Sequence, residues 1–311
     1  MKRIILFLII GLFILVGCEK QAALPSGKET PFIGGTTGLL IDLLDDSPPE
    51  EVTDGGNYPF DVVVKLENAG ETLIVKEDVS VELSGVDPTE FGLTSADLIK
   101  NPEEDLEATR KDSEGNKIKG TLTYVTFPGF NYGSALSGNT PFTFRADVCY
   151  KYGTIANAKL CVLADLIDVD ENAICKANER KTTHNSGSPV QITSFEENVR
   201  GTDKIAFTFE IEHRGNGRIY KKDTECSGDI RTDDDKVWAT IDSGLTGLKC
   251  TGLSGGTDTE GYVNLFDGKR TITCTQDIDV SADLEKVVKI NLDYDYEEDT
   301  STEVIVKHLI D

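Results

Sequence analysis

Alternation of apolar and polar residues at a period of two does most to limit what this chain can fold into, because only an extended strand sends successive side chains to opposite faces. Phe60, Val62, Val64 and Leu66 share one face, as do Phe142, Phe144, Ala146, Val148 and Tyr150. The pattern returns at Ile205, Phe207, Phe209 and Ile211 and at Val288, Ile290, Leu292, Tyr294 and Tyr296. Shorter runs lie at 39–44, at Val79, Val81 and Leu83, at 122–127 and at 237–241. Short strands separated by Gly, Asn and Asp turn signals predict an all-β chain built from β-sandwiches. The main helical candidate in the first half is 94–111, with Pro102 at a first helical position before Glu103, Glu104 and Asp105.

Local turn chemistry sets three expected reversals. A fold about Ile155 pairs Val148 with Val162 and Tyr150 with Leu160, and brings Cys149 opposite Cys161. Asp267-Gly268 is a preferred two-residue hairpin turn between 262–266 and 271–274. The Glu/Asp/Thr/Ser run after Tyr296 is expected to return the chain to Val304, Ile305 and Val306. Setting Ile205 on Phe60, Phe207 on Val62, Phe209 on Val64, Ile211 on Leu66 and Gly215 on Gly70 aligns the two halves. That repeat predicts two related sandwich domains in tandem, 57–164 and 188–311, joined by an acidic linker over 165–187.

The N-terminus predicts export. Lys2 and Arg3 precede an apolar run from Ile4 to Val16, which is short for a membrane-spanning helix and of the length of a signal core. Leu15-Val16-Gly17-Cys18 resembles the lipobox of bacterial and archaeal lipoproteins. The resemblance implies removal of 1–17, lipidation of Cys18 and attachment to the outer face of the membrane, with more than one acyl chain for stable tethering. The Gly-, Pro-, Ser- and acid-rich stretch 18–56 reads as a tether, apart from one early strand at 39–44.

Six further cysteines, Cys149, Cys161, Cys175, Cys226, Cys250 and Cys274, read as a disulfide framework in an exported chain. Three precede residue 176 and three follow residue 225, so full oxidation within one chain requires an odd number of bridges between the groups. Cys161 has two candidate partners, Cys149 across the turn at Ile155 or Cys175 across the acidic loop. The net charge of −24 repels phosphate backbones and excludes nucleic acid as a partner. No Asn-x-Ser/Thr sequon is present, so N-glycosylation is not expected.

The phrase from Pro59 to Gly70, a strand closed by Asn68-Ala69-Gly70, resembles the signature of CARDB-like and related immunoglobulin-like modules of archaeal and bacterial surface proteins. The second copy departs from it, with His213 where the Asn would stand. The resemblance implies immunoglobulin-like sandwiches and a surface or adhesive role, with no catalytic residues to carry over.

Sequence motifs for chemistry are sparse. Gly252-Leu253-Ser254-Gly255-Gly256 fits G-x-S-x-G and His308 follows it, but 257–261 is no helix start, so the segment reads as a Gly-rich loop and the chain as a non-enzyme. His184, His213 and His308 are scattered, without H-E-x-x-H or Cys-x-x-Cys, so no zinc site is expected. Trp238 is expected in the core, by analogy with the buried Trp of immunoglobulin sandwiches. Two acidic clusters are candidate calcium ligands, Asp165, Asp168, Asp170 and Glu171, and Asp229, Asp233, Asp234 and Asp235, against a plain reading as solvated loop charge. The function expected is a non-enzymatic cell-surface lipoprotein, adhesive or structural in the envelope, with surface proteins or polysaccharide as partners. The alternative is a carbohydrate- or solute-binding module, which an exposed aromatic platform would favour.

Overall fold

Ten strands carry the frame of the computed structural model, which describes residues 30–168, 173–227, 229 and 231–309. Five belong to the first half of the chain: β1 (Leu39–Leu43), β2 (Phe60–Asn68), β3 (Val79–Ser84), β4 (Leu122–Phe130) and β5 (Thr140–Val162). The second half supplies β6 (Val190–Val199), β7 (Lys204–His213), β8 (Lys236–Asp242), β9 (Lys269–Asp277) and β10 (Leu284–Lys307). The fold is all-β as expected, and helical structure among the described residues is confined to short 3-10 turns.

β5 and β10, of 23 and 24 residues, far exceed the usual strand of about 5–6 residues. They pair antiparallel along their whole length, from Val162 opposite Leu284 to Thr140 opposite Val306. β3 joins this pair beside β5 and β8 joins it beside β10, which makes one long sheet. Two further sheets, of three and five strands, share a three-strand pattern: β2 lies between β1 and β4, and β7 lies between β6 and β9. The architecture is sandwich-like, with Phe60 of β2 and Phe130 of β4 packing on Phe144 of β5 at 5.9 and 5.5 Å. In the other half, Glu197 of β6 reaches the Cys161 amide of β5. The buried apolar residues of both halves form one connected core.

Each long strand therefore serves both halves. The middle of the pair is a waist of buried tyrosines, Tyr150 opposite Tyr296 and Tyr152 opposite Tyr294, on either side of Lys151 opposite Asp295. Their hydroxyls are satisfied as buried polar groups require. Tyr150 donates to Glu298 at 2.7 Å, Tyr152 to the Gly187 carbonyl at 3.1 Å, and the Tyr296 oxygen accepts the Gly217 amide at 2.8 Å. A Cβ on Gly70 would run into the Tyr152 hydroxyl and one on Gly215 into the Tyr296 hydroxyl, so the two glycines aligned in the sequence occupy matching places.

Several local expectations are corrected. No turn forms at Ile155, and none after Tyr296, because the inward alternation continues without a break through Ala156, Ala158 and Leu160 and again to Val304 and Val306. Asp267-Gly268 does make a tight turn, with Phe266 and Lys269 exchanging backbone hydrogen bonds and positive φ at both turn residues. The flanking segments then diverge, however: 260–264 pairs with β8 in the long sheet while β9 pairs with β7. The helix expected over 94–111 is a single 3-10 turn at Ser95–Leu98, capped by Thr94 and Asp97. Beyond it the Leu106 backbone is taken by Ile74, which donates to and accepts from it. The early strand expected at 39–44 forms as β1 and pairs with β2, while within the rest of the stretch expected as a tether Glu51–Thr53 runs parallel to the end of β10. The linker region 165–187 lies between β5 and β6, while 296–306 pair with 140–150 on the other side of the expected domain boundary.

Candidate functional site

The cysteines form three bridges, Cys149–Cys226, Cys161–Cys175 and Cys250–Cys274. One bridge joins the two groups, as the count of three and three requires. Cys161 meets Cys175 across the acidic loop; the pairing with Cys149 fails because both lie on the same face of an unbroken strand. Cys18 and the expected signal segment 1–17 lie outside the described residues. No described helix is long and apolar enough to cross a membrane.

Cys149 sits on the outer face of β5, and its bridge holds the segment 221–227 down over the waist. Asp223, Glu225 and Cys226 adopt positive φ there, a conformation that turns consecutive amides toward one acceptor. The amides of Asp223, Thr224 and Glu225 donate to the fully buried Asp295 at 3.1, 2.8 and 2.8 Å. Burial raises the Asp295 carboxyl above its ordinary pKa, and the three amides act against it. Beside it, Lys151 Nζ lies 2.9 Å from Asp78 and 3.2 Å from Asp223, and these two carboxylates raise its pKa. Lys151 thus ties the segment 72–78 to the segment 221–223.

Between these two segments runs a groove of about 340 Å³. Gly153 and Asp293, cross-strand neighbours on β5 and β10, lie on its floor. Leu73 and Val75 form one wall, 49% and 38% exposed, and Lys222 and Asp223 the other. Trp238 is the register partner of Asp293 and stands behind Lys222, whose Nζ is 4.4 Å from the ring centroid. Tyr262 meets the same ring edge-on at 4.7 Å. Trp238 is therefore half-buried on the outer face and not in the core, because Val237, Ala239 and Ile241 take the inward positions of β8. The Asp293 carboxylate accepts no hydrogen bond from the described residues. The packed walls raise its pKa and the Lys222 ammonium pulls it back.

The other candidate residues are dispersed. Asp165 caps its own loop, accepting the amides of Ile167 and Asp168 at 2.8 and 2.9 Å, which hold its carboxyl below the usual range. Asp170 and Glu171 lie outside the described residues, and Asp168 donates its amide to that turn. Asp229 accepts the Arg231 amide, Asp233 faces Lys221 at 3.4 Å and Asp234 faces Arg218 at 3.1 Å. Burial raises the Asp235 carboxyl. Among the described residues no three His, Cys, Asp or Glu side chains converge as metal ligands. Ser254 donates to the Tyr262 carbonyl, whereas His308 binds Asp54 through Nδ1 at 2.8 Å at the end of β10, so the two do not meet. Lys151, Gly153, Lys222 and Asp293 were not visible as a group in the sequence. Their outward positions follow from the period of two, but their meeting depends on the β5–β10 register.

No protein-family model matches this chain, and no curated protein matches it.

Proposed function

We propose that this chain is a non-enzymatic protein of the cell envelope, exported by residues 1–17, lipidated at Cys18 and held outside the membrane. There, two immunoglobulin-like sandwiches of the CARDB-like kind act as a stiff structural and adhesive module toward surface proteins or polysaccharide. The observation that carries this reading is the double strand through both halves. At about 3.3 Å per residue, 23 paired residues extend over roughly 75 Å. Such a spine transmits position from one end to the other without a hinge.

Three disulfides suit an oxidising compartment. The acidic surface suits a soluble exported domain and is unsuited to nucleic acid. The separation of Ser254 from His308 favours binding over hydrolysis. The test is cell fractionation of Cys18→Ser, which should move from the membrane fraction into the medium. Unchanged retention with an intact N-terminus would overturn the tether.

A further inference from the structure

The Asp293 carboxylate of the groove accepts no hydrogen bond from the described residues and forms no close ion pair, and it lies beside an aromatic ring that already carries a cation. We propose that this groove receives a lysine or arginine side chain of a partner polypeptide, its aliphatic stem along Leu73 and Val75 and its charged head at the Asp293 carboxylate. The proposal rests on reading the chain as an interaction module and specifies the partner's chemistry.

Four features support it. Gly153 keeps the floor open, since a Cβ there would stand 3.5 Å from Asp293 Oδ1 and 3.1 Å from the Leu292 carbonyl. The Trp238 ring, fixed edge-on by Tyr262, attracts cations through its face, and the chain's own Lys222 occupies that face at 4.4 Å. Of the charged groups lining the groove, Asp78 and Asp223 are matched by Lys151, and Asp295 by three amides. Asp293 feels the field of Lys222 but forms no close ion pair with it, and is left to face an incoming charge. Finally, the exposed Leu73 and Val75 offer apolar surface that an ammonium ion alone would not cover but a long basic side chain would.

Trp238 is the only tryptophan, so fluorescence of the intact, disulfide-bonded protein reports on this site alone. The probes are acetyl-Gly-Lys-Gly-amide, its norleucine counterpart and spermidine. The lysine peptide should change the emission saturably and the norleucine peptide should not. Asp293→Asn should weaken binding by about tenfold, the usual effect of losing a charge-assisted contact. Lys222→Ala, which frees the ring, should tighten it, while Lys159→Ala, which removes the same charge elsewhere, should leave it unchanged. Equal responses to lysine and norleucine, indifference to Asp293→Asn, or equal effects of the two lysine variants would overturn the site. Tighter binding of spermidine than of the lysine peptide would overturn the polypeptide as its source. Should Asp293→Asn not fold, the lysine against norleucine comparison on the wild-type protein decides alone. Release of Cys18→Ser from the membrane is independent of all these outcomes, so failure of the groove and failure of the tether are separable.

Discussion

Glu197→Gln should flatten the dependence of stability on pH. Glu197 projects from β6 between the sheets and is fully buried. The Cys161 amide donates to its two oxygens at 3.1 and 3.0 Å, and Lys181 Nζ stands 3.3 Å away. Burial is the largest influence and outweighs both partners, so the carboxyl is pushed up to about 7 from an ordinary 4.5. An acid with a raised pKa in the folded state binds its proton more tightly there than in the unfolded chain. The fold therefore loses stability as pH rises from 4.5 through 7 and is level above that. A difference of about 2.5 units at 1.36 kcal/mol per unit is about 3 kcal/mol. The glutamine variant has no such loss, and Lys181 keeps Glu179 at 2.9 Å and the Lys176 carbonyl, so no ammonium is stranded. Urea unfolding with disulfides intact, from pH 4.5 to 8, should show the wild-type protein losing about 3 kcal/mol more than the variant. Other buried carboxyls with raised pKa, such as Asp295 and Glu298, are present in both proteins and cancel in the comparison. Parallel curves would refute the reasoning.

Replacing both Cys149 and Cys226 by Ser should lower stability by about 2–5 kcal/mol and open 221–227 to proteases, read by thermal melting and limited proteolysis. Gly70→Ala should cost about 3 kcal/mol or more in chemical unfolding, since its Cβ meets the Tyr152 hydroxyl and comes within 2.6 Å of the Gly187 carbonyl, and backbone cannot step aside. Calorimetry should show one unfolding transition for the whole of 32–309, and a fragment ending at residue 164 should fail to fold because it lacks the β10 segment that pairs with 140–150. Two separated transitions would count against the shared spine.

The faces of the strands were legible because burial follows alternation directly: Val62, Val64 and Leu66, and Phe207, Phe209 and Ile211, are all buried. Trp238 was also legible, and was missed. Val237, Ala239 and Ile241 alternate as inward residues, which sends Trp238 outward, but the analogy with the buried Trp of immunoglobulin sandwiches pointed to the core. The expected turns at Ile155 and after Tyr296 failed for another reason. Gly153-Thr154 and the polar run after Tyr296 have turn composition, yet their inward polar groups find partners at the waist. Thr154 donates to the Val190 carbonyl at 2.6 Å, and Glu298 accepts from Tyr150. Whether such a segment bends or runs straight depends on what lies across from it, and no local pattern encodes that. The cysteine count similarly fixed the parity of the bridges, while the partners depended on register.

The repeat also sharpens the reading of the groove. If the halves are related about the Lys151–Asp295 pair, then the pair Gly153 and Asp293 on one side corresponds to Glu297 and Cys149 on the other, which are indeed register partners. On that second side Cys149 is consumed by its bridge to Cys226, and Glu297 accepts the Tyr220 hydroxyl at 2.9 Å, with Arg218 3.9 Å away. Its polar groups are all engaged within the chain. On the first side the position of Glu297 is taken by a glycine and that of Cys149 by a carboxylate with no hydrogen-bond donor. An arrangement serving stability alone would gain from closing both sides alike, because an unpaired carboxylate with a raised pKa weakens the fold at neutral pH. The open side has instead kept an acid, a free floor and a cation-bearing ring together, which is the combination that a basic side chain from outside would complete.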